Sequence, residues 1–198
     1  MDYLSSNNIV HRDIATRNCV VCSGDMVKIS DAAFSWSLFP DEYMYDSDRE
    51  RWLPVRWMAQ DSLQSGFYST TTDVWSYGVL MWEVMSRGVL LPYFDIENNE
   101  DIKDHVINGY RLGKPDTVPD EMYILMMSCW DTNHSQRPAF VRIIERLIDI
   151  LNPQEPSHRM YQNQEELPEY GNLTNDPPKL PSRANMPANN GNVNFGFR

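Results

Sequence analysis

The sequence predicts a mainly α-helical domain that carries one short β-hairpin and is followed by a disordered C-terminal tail. Three observations carry that reading. Apolar residues recur at helical spacing in several separate stretches. The Ser23-Gly24-Asp25 turn separates the apolar runs 19–21 and 27–30, which makes a small hairpin. At about Asn152 the apolar runs stop and Asn and Pro take over. Such a segment buries too little surface to offset its ordering entropy. The 198 residues, 41% hydrophobic and 12% aromatic, are enough for one core of ordinary size plus an appendage.

Taken in order, residues 1–8 read as the end of a helix whose start lies outside the sequence. After the hairpin, residues 30–54 are acidic and irregular. Thr70-Thr71-Thr72 then caps a helix running to about Arg87, with Gly88 as its stop. Val74, Trp75, Tyr77, Val79, Leu80, Trp82, Val84 and Met85 make that helix apolar almost all round. A helix of this kind belongs in the middle of a domain. It is too short and too polar at its ends to span a bilayer, and no signal peptide opens the chain. Further helices are expected near 99–108, 119–130 and 138–151. The last carries an apolar stripe of Ile143, Ile144, Leu147, Ile148 and Leu151.

The net charge of -11 gives no basic face for nucleic acid. Cys19 and Cys22 form a C-x-x-C, but no second such pair exists to complete a zinc site. Buried, reduced thiols are the simpler reading. The sequons at Asn133 and Asn172 read as chance matches.

The segment that carries chemistry is His11-Arg12-Asp13-Ile14-Ala15-Thr16-Arg17-Asn18, followed by Asp31. Phosphoryl transfer needs an acidic group to orient the acceptor hydroxyl and oxygen ligands for magnesium. Asp13 supplies the first; Asn18 and Asp31 supply the second. H-R-D alone is a weak signal, but with the Asn five positions after the Asp and the strand-terminal Asp it is strong.

Here the sequence resembles the receptor protein tyrosine kinases. A-x-R-N after H-R-D is similar to their catalytic loop. Pro54-Val55-Arg56-Trp57-Met58-Ala59 resembles their substrate-side loop, and Asp73-Val74-Trp75-Ser76-Tyr77-Gly78-Val79 their central buried helix. Cys129-Trp130 and Arg137-Pro138 match the end of the domain. The resemblance implies a kinase C-terminal lobe over residues 1–151 and a signalling tail over 152–198. It implies that Arg17 orients the substrate tyrosine, that Arg12 pairs with a phosphotyrosine, that Asp73 anchors the catalytic loop, and that Val20 floors the adenine. By itself, Asp73 also reads as an ordinary helix-start residue. ATP and Mg²⁺ are the implied cofactors, with protein tyrosines as substrates. The parent would be a plasma-membrane receptor with this part on the cytoplasmic side.

Three departures qualify the resemblance. No Gly-rich loop, strand Lys or partner Glu precedes the catalytic loop, so the sequence holds half of an active site. Asp-Phe-Gly reads Asp31-Ala32-Ala33, which, with Ser37-Leu38-Phe39-Pro40, resembles the Ryk/derailed group of Wnt-binding receptors, usually regarded as kinase-impaired. Ala-Pro-Glu reads Ala59-Gln60-Asp61, so the expected pair with Arg137 has a shorter acid. Turnover and a partner-binding pseudokinase role both remain open. Tyr43 and Tyr45, among acidic neighbours, are candidate phosphosites whose phosphate would pair with Arg12, with Arg49 or Arg51 competing. In the tail, Tyr161 and Tyr170 each precede an Asn by two positions, as in ligands of adaptor SH2 domains, and Pro178 to Pro181 offers a P-x-x-P core for an SH3 groove.

Overall fold

A computed structural model describes residues 1–24, 26–30 and 35–153. Asp31, Ala32 and Ala33, and the tail with Tyr161, Tyr170 and the P-x-x-P core, lie outside the described residues.

The described part is mainly helical with two separate hairpins. Its elements are α1 (Asp2–Ser6), β1 (Cys19–Val21), β2 (Val27–Ile29), α2 (Ser35–Leu38), β3 (Met44–Asp46), β4 (Arg51–Leu53), α3 (Gln60–Ser65), α4 (Thr70–Met85), α5 (Asn99–Ile107), α6 (Asp120–Cys129) and α7 (Phe140–Leu151). Single 3₁₀ turns lie at Thr16–Asn18, Pro40–Glu42 and Val55–Trp57. The expected hairpin pairs Cys19 with Ile29 and Val21 with Val27. A second one, absent from the reading of 30–54 as irregular, pairs Met44 with Leu53 and Tyr45 with Trp52. Its strands have three residues each, too few for alternation to register against an acidic background.

α4 is the axis of the fold. From Thr72 to Glu83 only Tyr77 escapes full burial. The helix starts one residue earlier than the threonine run suggested: Ser69 is the N-cap, and its N–H donates to Thr72 Oγ1 at 3.1 Å in a capping box. α4 packs most extensively on α6. The core gathers Trp57, Trp75, Trp82, Trp130, Ile102, Val106, Met126 and Phe140 around it. The guanidinium groups of Arg111 and Arg137 lie 4.4 and 5.1 Å from the centre of the Trp75 ring, which lets two cations enter an apolar interior. On α7 the apolar stripe is only partly covered: Ile143 is buried, whereas Ile144, Ile148 and Leu151 are exposed. No described helix is long and apolar enough to cross a membrane.

Gly78 sets the spacing of α4 and α6. A Cβ there would stand 2.6 Å from Trp130 Nε1 and 2.8 Å from Cys129 Cβ, and both residues are buried. Gly78→Ala would gain about 1 kcal/mol of helix propensity. Overpacking of about 1–3 kcal/mol opposes it, so denaturant unfolding is expected to show a net loss of stability. An unchanged or raised midpoint would mean that the two helices part freely.

Candidate active site

The site is built outward from α4. Asp73, in its first turn, accepts the His11 N–H at 2.7 Å and the Arg12 N–H at 2.9 Å. Arg12 has φ of 72°, a left-handed conformation that costs a non-glycine residue energy and persists where surrounding contacts hold it. The two bonds to Asp73 do so here. Burial drives the Asp73 pKa above the ordinary carboxylate value, and the two N–H donors pull against that shift.

Nearly three turns along, Glu83 holds the far side of the same loop. Its carboxylate accepts Thr16 Oγ1 at 2.7 Å, the Thr16 N–H at 3.1 Å and Trp57 Nε1 at 2.8 Å. Burial raises the Glu83 pKa, again against its hydrogen bonds. One carboxylate therefore ties the catalytic-type loop to the 3₁₀ turn Val55–Trp57. The sequence reading missed Glu83, although an acid inside the run Met81-Trp82-Glu83-Val84 was a signal: a carboxylate on a buried helix must find donors.

Between these anchors Asp13, Arg17, Asn18 and Tyr43 meet. Asn18 Nδ2 donates to Asp13 O at 2.8 Å and Asp13 Oδ2 at 2.9 Å. Arg17 forms an ion pair with Asp13 Oδ1 and a second with Glu42 Oε2 at 2.7 Å. The Tyr43 hydroxyl donates to Asp13 Oδ2 at 2.5 Å and accepts from Arg17 Nε at 2.8 Å. The guanidinium of Arg17 lies over two rings, 4.6 Å from the centre of Tyr43 and 4.1 Å from that of Trp57. Burial opposes the Arg17 charge, but Asp13, Tyr43 and Glu42 together raise its pKa. Tyr43 is pushed up to about 12, first by burial and then by its bond to Asp13.

Tyr43 is thus 8% exposed, whereas Tyr45 is 51% exposed. The sequence reading treated the two alike; the structure separates them. The guanidinium of Arg12 lies 5.4 Å from the centre of the Tyr68 ring, which Arg51 also faces at 5.3 Å. Val20 stands half-exposed on β1. Asp61 and Arg137 form an ion pair at 2.6 Å, and Arg137 also donates to Thr71 O and Asp131 O.

For a magnesium nucleotide, the described residues offer Asn18, whose amide oxygen is the hard ligand that magnesium prefers. Asn18 Oδ1 here accepts from Ser35 Oγ at 2.5 Å. Asp31, the other candidate ligand, lies outside the described residues. Among the described residues no three His, Cys, Asp or Glu side chains cluster to hold a metal.

Two outcomes follow from this geometry. Glu83→Ala strands the Trp57 and Thr16 donors and is expected to lower stability by about 3 kcal/mol or more, measured by denaturant unfolding; a cost within about 0.5 kcal/mol would remove Glu83 as an anchor. The second concerns pH. Because its folded pKa is raised from 10.0 to about 12, Tyr43 contributes stability that is fully present below pH 10 and lost as pH rises towards 12. An ultraviolet titration of the parent chain against Tyr43→Phe is expected to place the Tyr43 phenolate in that window. Ionisation near 10 would contradict the buried placement.

Residues 1–147 match the family described as protein tyrosine and serine/threonine kinase. The chain is 40% identical over 151 residues to platelet-derived growth factor receptor beta of Takifugu rubripes, covering 76% of this chain and 14% of that receptor. It is 40% identical over 150 residues to tyrosine-protein kinase RYK of Mus musculus, covering 76% of this chain and 25% of that protein. It is 38% identical over 191 residues to tyrosine-protein kinase receptor TYRO3 of Rattus norvegicus, covering 96% of this chain and 20% of the receptor. The chain therefore spans a quarter or less of the length of these relatives. On the family match and on these receptor relatives, the chain belongs to the protein tyrosine and serine/threonine kinase family, among receptor tyrosine kinase domains.

Proposed function

We propose that residues 1–151 are the C-terminal lobe of a protein tyrosine kinase domain that, in a complete receptor, transfers the γ-phosphate of ATP to protein tyrosine. The observation that carries this reading is Tyr43, whose hydroxyl lies on the carboxylate of Asp13 with its ring against Arg17. A tyrosine side chain thereby fills the slot that a substrate tyrosine would take. Magnesium ATP, when bound, supplies the phosphoryl group and the charge neutralisation. Asp13 orients the acceptor hydroxyl and takes its proton as the new O–P bond forms and ADP leaves. Arg17, fixed on Trp57, aligns the ring. Asn18 and Asp31 would hold magnesium, and Val20 would contribute to the adenine site. Arg12 and the Asp61–Arg137 pair stabilise the surrounding loops.

A second reading rests on Asp31-Ala32-Ala33. Loss of the Phe and Gly of the usual motif favours a pseudokinase that signals by binding partners, as in a Ryk-like, Wnt-binding receptor. In either reading the parent is a plasma-membrane protein with this part on the cytoplasmic side. Tyr161 and Tyr170, once phosphorylated, would dock SH2 adaptors, and the nearby P-x-x-P core an SH3 domain. Those tail sites are tested by titrating phosphorylated and plain peptides with an adaptor SH2 domain; equal binding would refute them.

The kinase reading is tested with the complete kinase domain. Removing the Tyr43 hydroxyl deletes hydrogen bonds to two charged groups, each worth about 1.5–3 kcal/mol. Tyr43→Phe is therefore expected to raise basal peptide phosphorylation by roughly tenfold or more, and Asp13→Asn to abolish it. If activity is limited at the altered motif, Ala32→Phe with Ala33→Gly should raise turnover further. No turnover in any of these forms, with partner binding intact, would favour the scaffold reading.

A further inference from the structure

A cavity of about 320 Å³ lies where the C-terminal half of α4 meets residues 93–95 and 110–114. Its volume is in the range of pockets that hold small ligands or single side chains. None of its lining residues takes part in the site around Asp13. Trp82, Tyr93, Phe94 and Tyr110 line it with aromatic rings, and Asp95 is the acid among them. The rings of Tyr93 and Tyr110 have centres 6.2 Å apart and planes tilted by 44°.

The walls are fixed by side chains that donate to backbone carbonyls. Trp82 Nε1 donates to Gly113 O at 2.8 Å, and Tyr123 Oη to Leu112 O at 2.8 Å. Arg56, which is buried, donates to Pro92 O at 2.7 Å, Tyr93 O at 3.1 Å and Ile96 O at 3.2 Å. Tyr93 has φ of 56°, a left-handed conformation that persists where its surroundings impose it. The loop that carries Tyr93, Phe94 and Asp95 is therefore set before any guest arrives, which lowers the ordering cost of binding.

The charge in the cavity is negative and incompletely satisfied. Tyr110 Oη reaches Asp95 Oδ2 at 3.4 Å, longer than a full O–H···O hydrogen bond. Burial and then the Asp95 charge push the Tyr110 hydroxyl up to about 12. The cations nearby are engaged elsewhere. Lys114 pairs with Asp120, Arg56 donates to the three loop carbonyls, and Arg111 donates to the carbonyls of Val106, Tyr110 and Trp130. Glu97, Glu100, Asp101 and Asp104 follow Asp95 in the chain and are all exposed.

Rings around a carboxylate suit a cation, because the face of an aromatic ring attracts positive charge. The donors of the guest decide which cation. A primary ammonium brings three N–H groups that need acceptors. Gly113 O already accepts from Trp82, and Asp95 is the one carboxylate in the lining. A trimethylated ammonium has no donor to place. The acidic stretch beyond Asp95 complements a basic polypeptide rather than a free small cation, since only a chain reaches both features.

We propose that Trp82, Tyr93, Phe94, Tyr110 and Asp95 form a cage for a methylated lysine side chain on a basic segment of a partner protein, with Glu97, Glu100, Asp101 and Asp104 meeting the flanking basic residues. The cage stands independently of the kinase reading of Asp13 and Arg17. The test titrates the full chain with a fluorescently labelled basic peptide that contains one trimethyllysine, read by anisotropy. Two companion peptides carry plain lysine or the neutral tert-butyl analogue at that position. The trimethyllysine peptide is expected to bind about fivefold or more tightly than either, as cation–π contacts require. Phe94→Ala is expected to weaken it about two- to fivefold, the range of one partly exposed contact. If Phe94→Ala no longer melts cooperatively, Phe94→Leu, which fills space without a ring, replaces it. Tyr110→Phe keeps the ring and is expected to keep the preference for the methylated peptide. Asp95→Asn is expected to weaken both charged peptides several-fold, most at low salt, and to leave the neutral one unchanged. Equal affinity for trimethyllysine and its neutral analogue, or for trimethyllysine and lysine, would overturn the cage, as would no binding at all. Choline chloride, the free cation, is expected to compete only at concentrations far above those of the peptide. Choline binding as tightly as the peptide would overturn the assignment to a partner protein.

Discussion

A carboxylate buried on an apolar helix must find donors, and α4 carries two such carboxylates ten residues apart. Asp73 and Glu83 are both buried, and for each burial is the largest influence on its pKa. Asp73 therefore takes backbone donors of the loop that crosses above, and Glu83 takes backbone and side-chain donors of that loop and of the turn that carries Trp57. Asp73 fixes residues 11 and 12, and Glu83 fixes residue 16 and Trp57. Asp13 lies between those attachment points. The position of the Asp13 carboxylate is therefore a consequence of how the core is filled. The left-handed Arg12 is the local strain that this arrangement carries.

Trp57 links this rigid frame to the charged site. Its indole N–H is spent on Glu83, and its face carries the guanidinium of Arg17. Arg17 is a flat cation with donors along its edges and two faces available for rings. Here its donors meet Asp13, Glu42 and the Tyr43 hydroxyl, and its carbon lies over the rings of Trp57 and Tyr43. A serine side chain reaching Asp13 would lack the ring contact that Tyr43 makes with Arg17. On the proposed reading of the site, this ring contact is what would favour an aromatic acceptor.

Much of the helical fold was legible in the sequence because long, strongly periodic segments report their own burial. α4, α5, α6 and α7 fall within a residue or two of the expected positions. What escaped was short or depended on distant partners. The six-residue α3 and the three-residue strands of the second hairpin are too brief for periodicity to declare. At the site, the H-R-D segment drew attention to Asp13, Arg17 and Asn18, and the structure brings those three together. No local pattern could tell Tyr43 from Tyr45, because what separates them is a contact thirty residues away in sequence. Ser35 and Glu42 were missed for the same reason, while Glu83 had a visible signature in its apolar context.

The arrangement around Tyr43 closes two functions with one segment. Tyr43 takes the Asp13 oxygen proposed to meet the acceptor hydroxyl, and Ser35 takes the Asn18 oxygen proposed to hold magnesium. Both groups belong to residues 35–43, and both bonds are buried. Neither site can be cleared fully without moving that segment, so occupancy at one disfavours the closed form at the other. A ligand shifts such an equilibrium only by its difference in affinity for the two forms, and each tenfold difference amounts to about 1.4 kcal/mol. Metal and acceptor would thus act on the same equilibrium, each lowering what the other must supply. Coupling of this kind needs no chain of contacts through the core. It arises because one stretch of backbone, held at both ends, satisfies two adjacent polar groups at once.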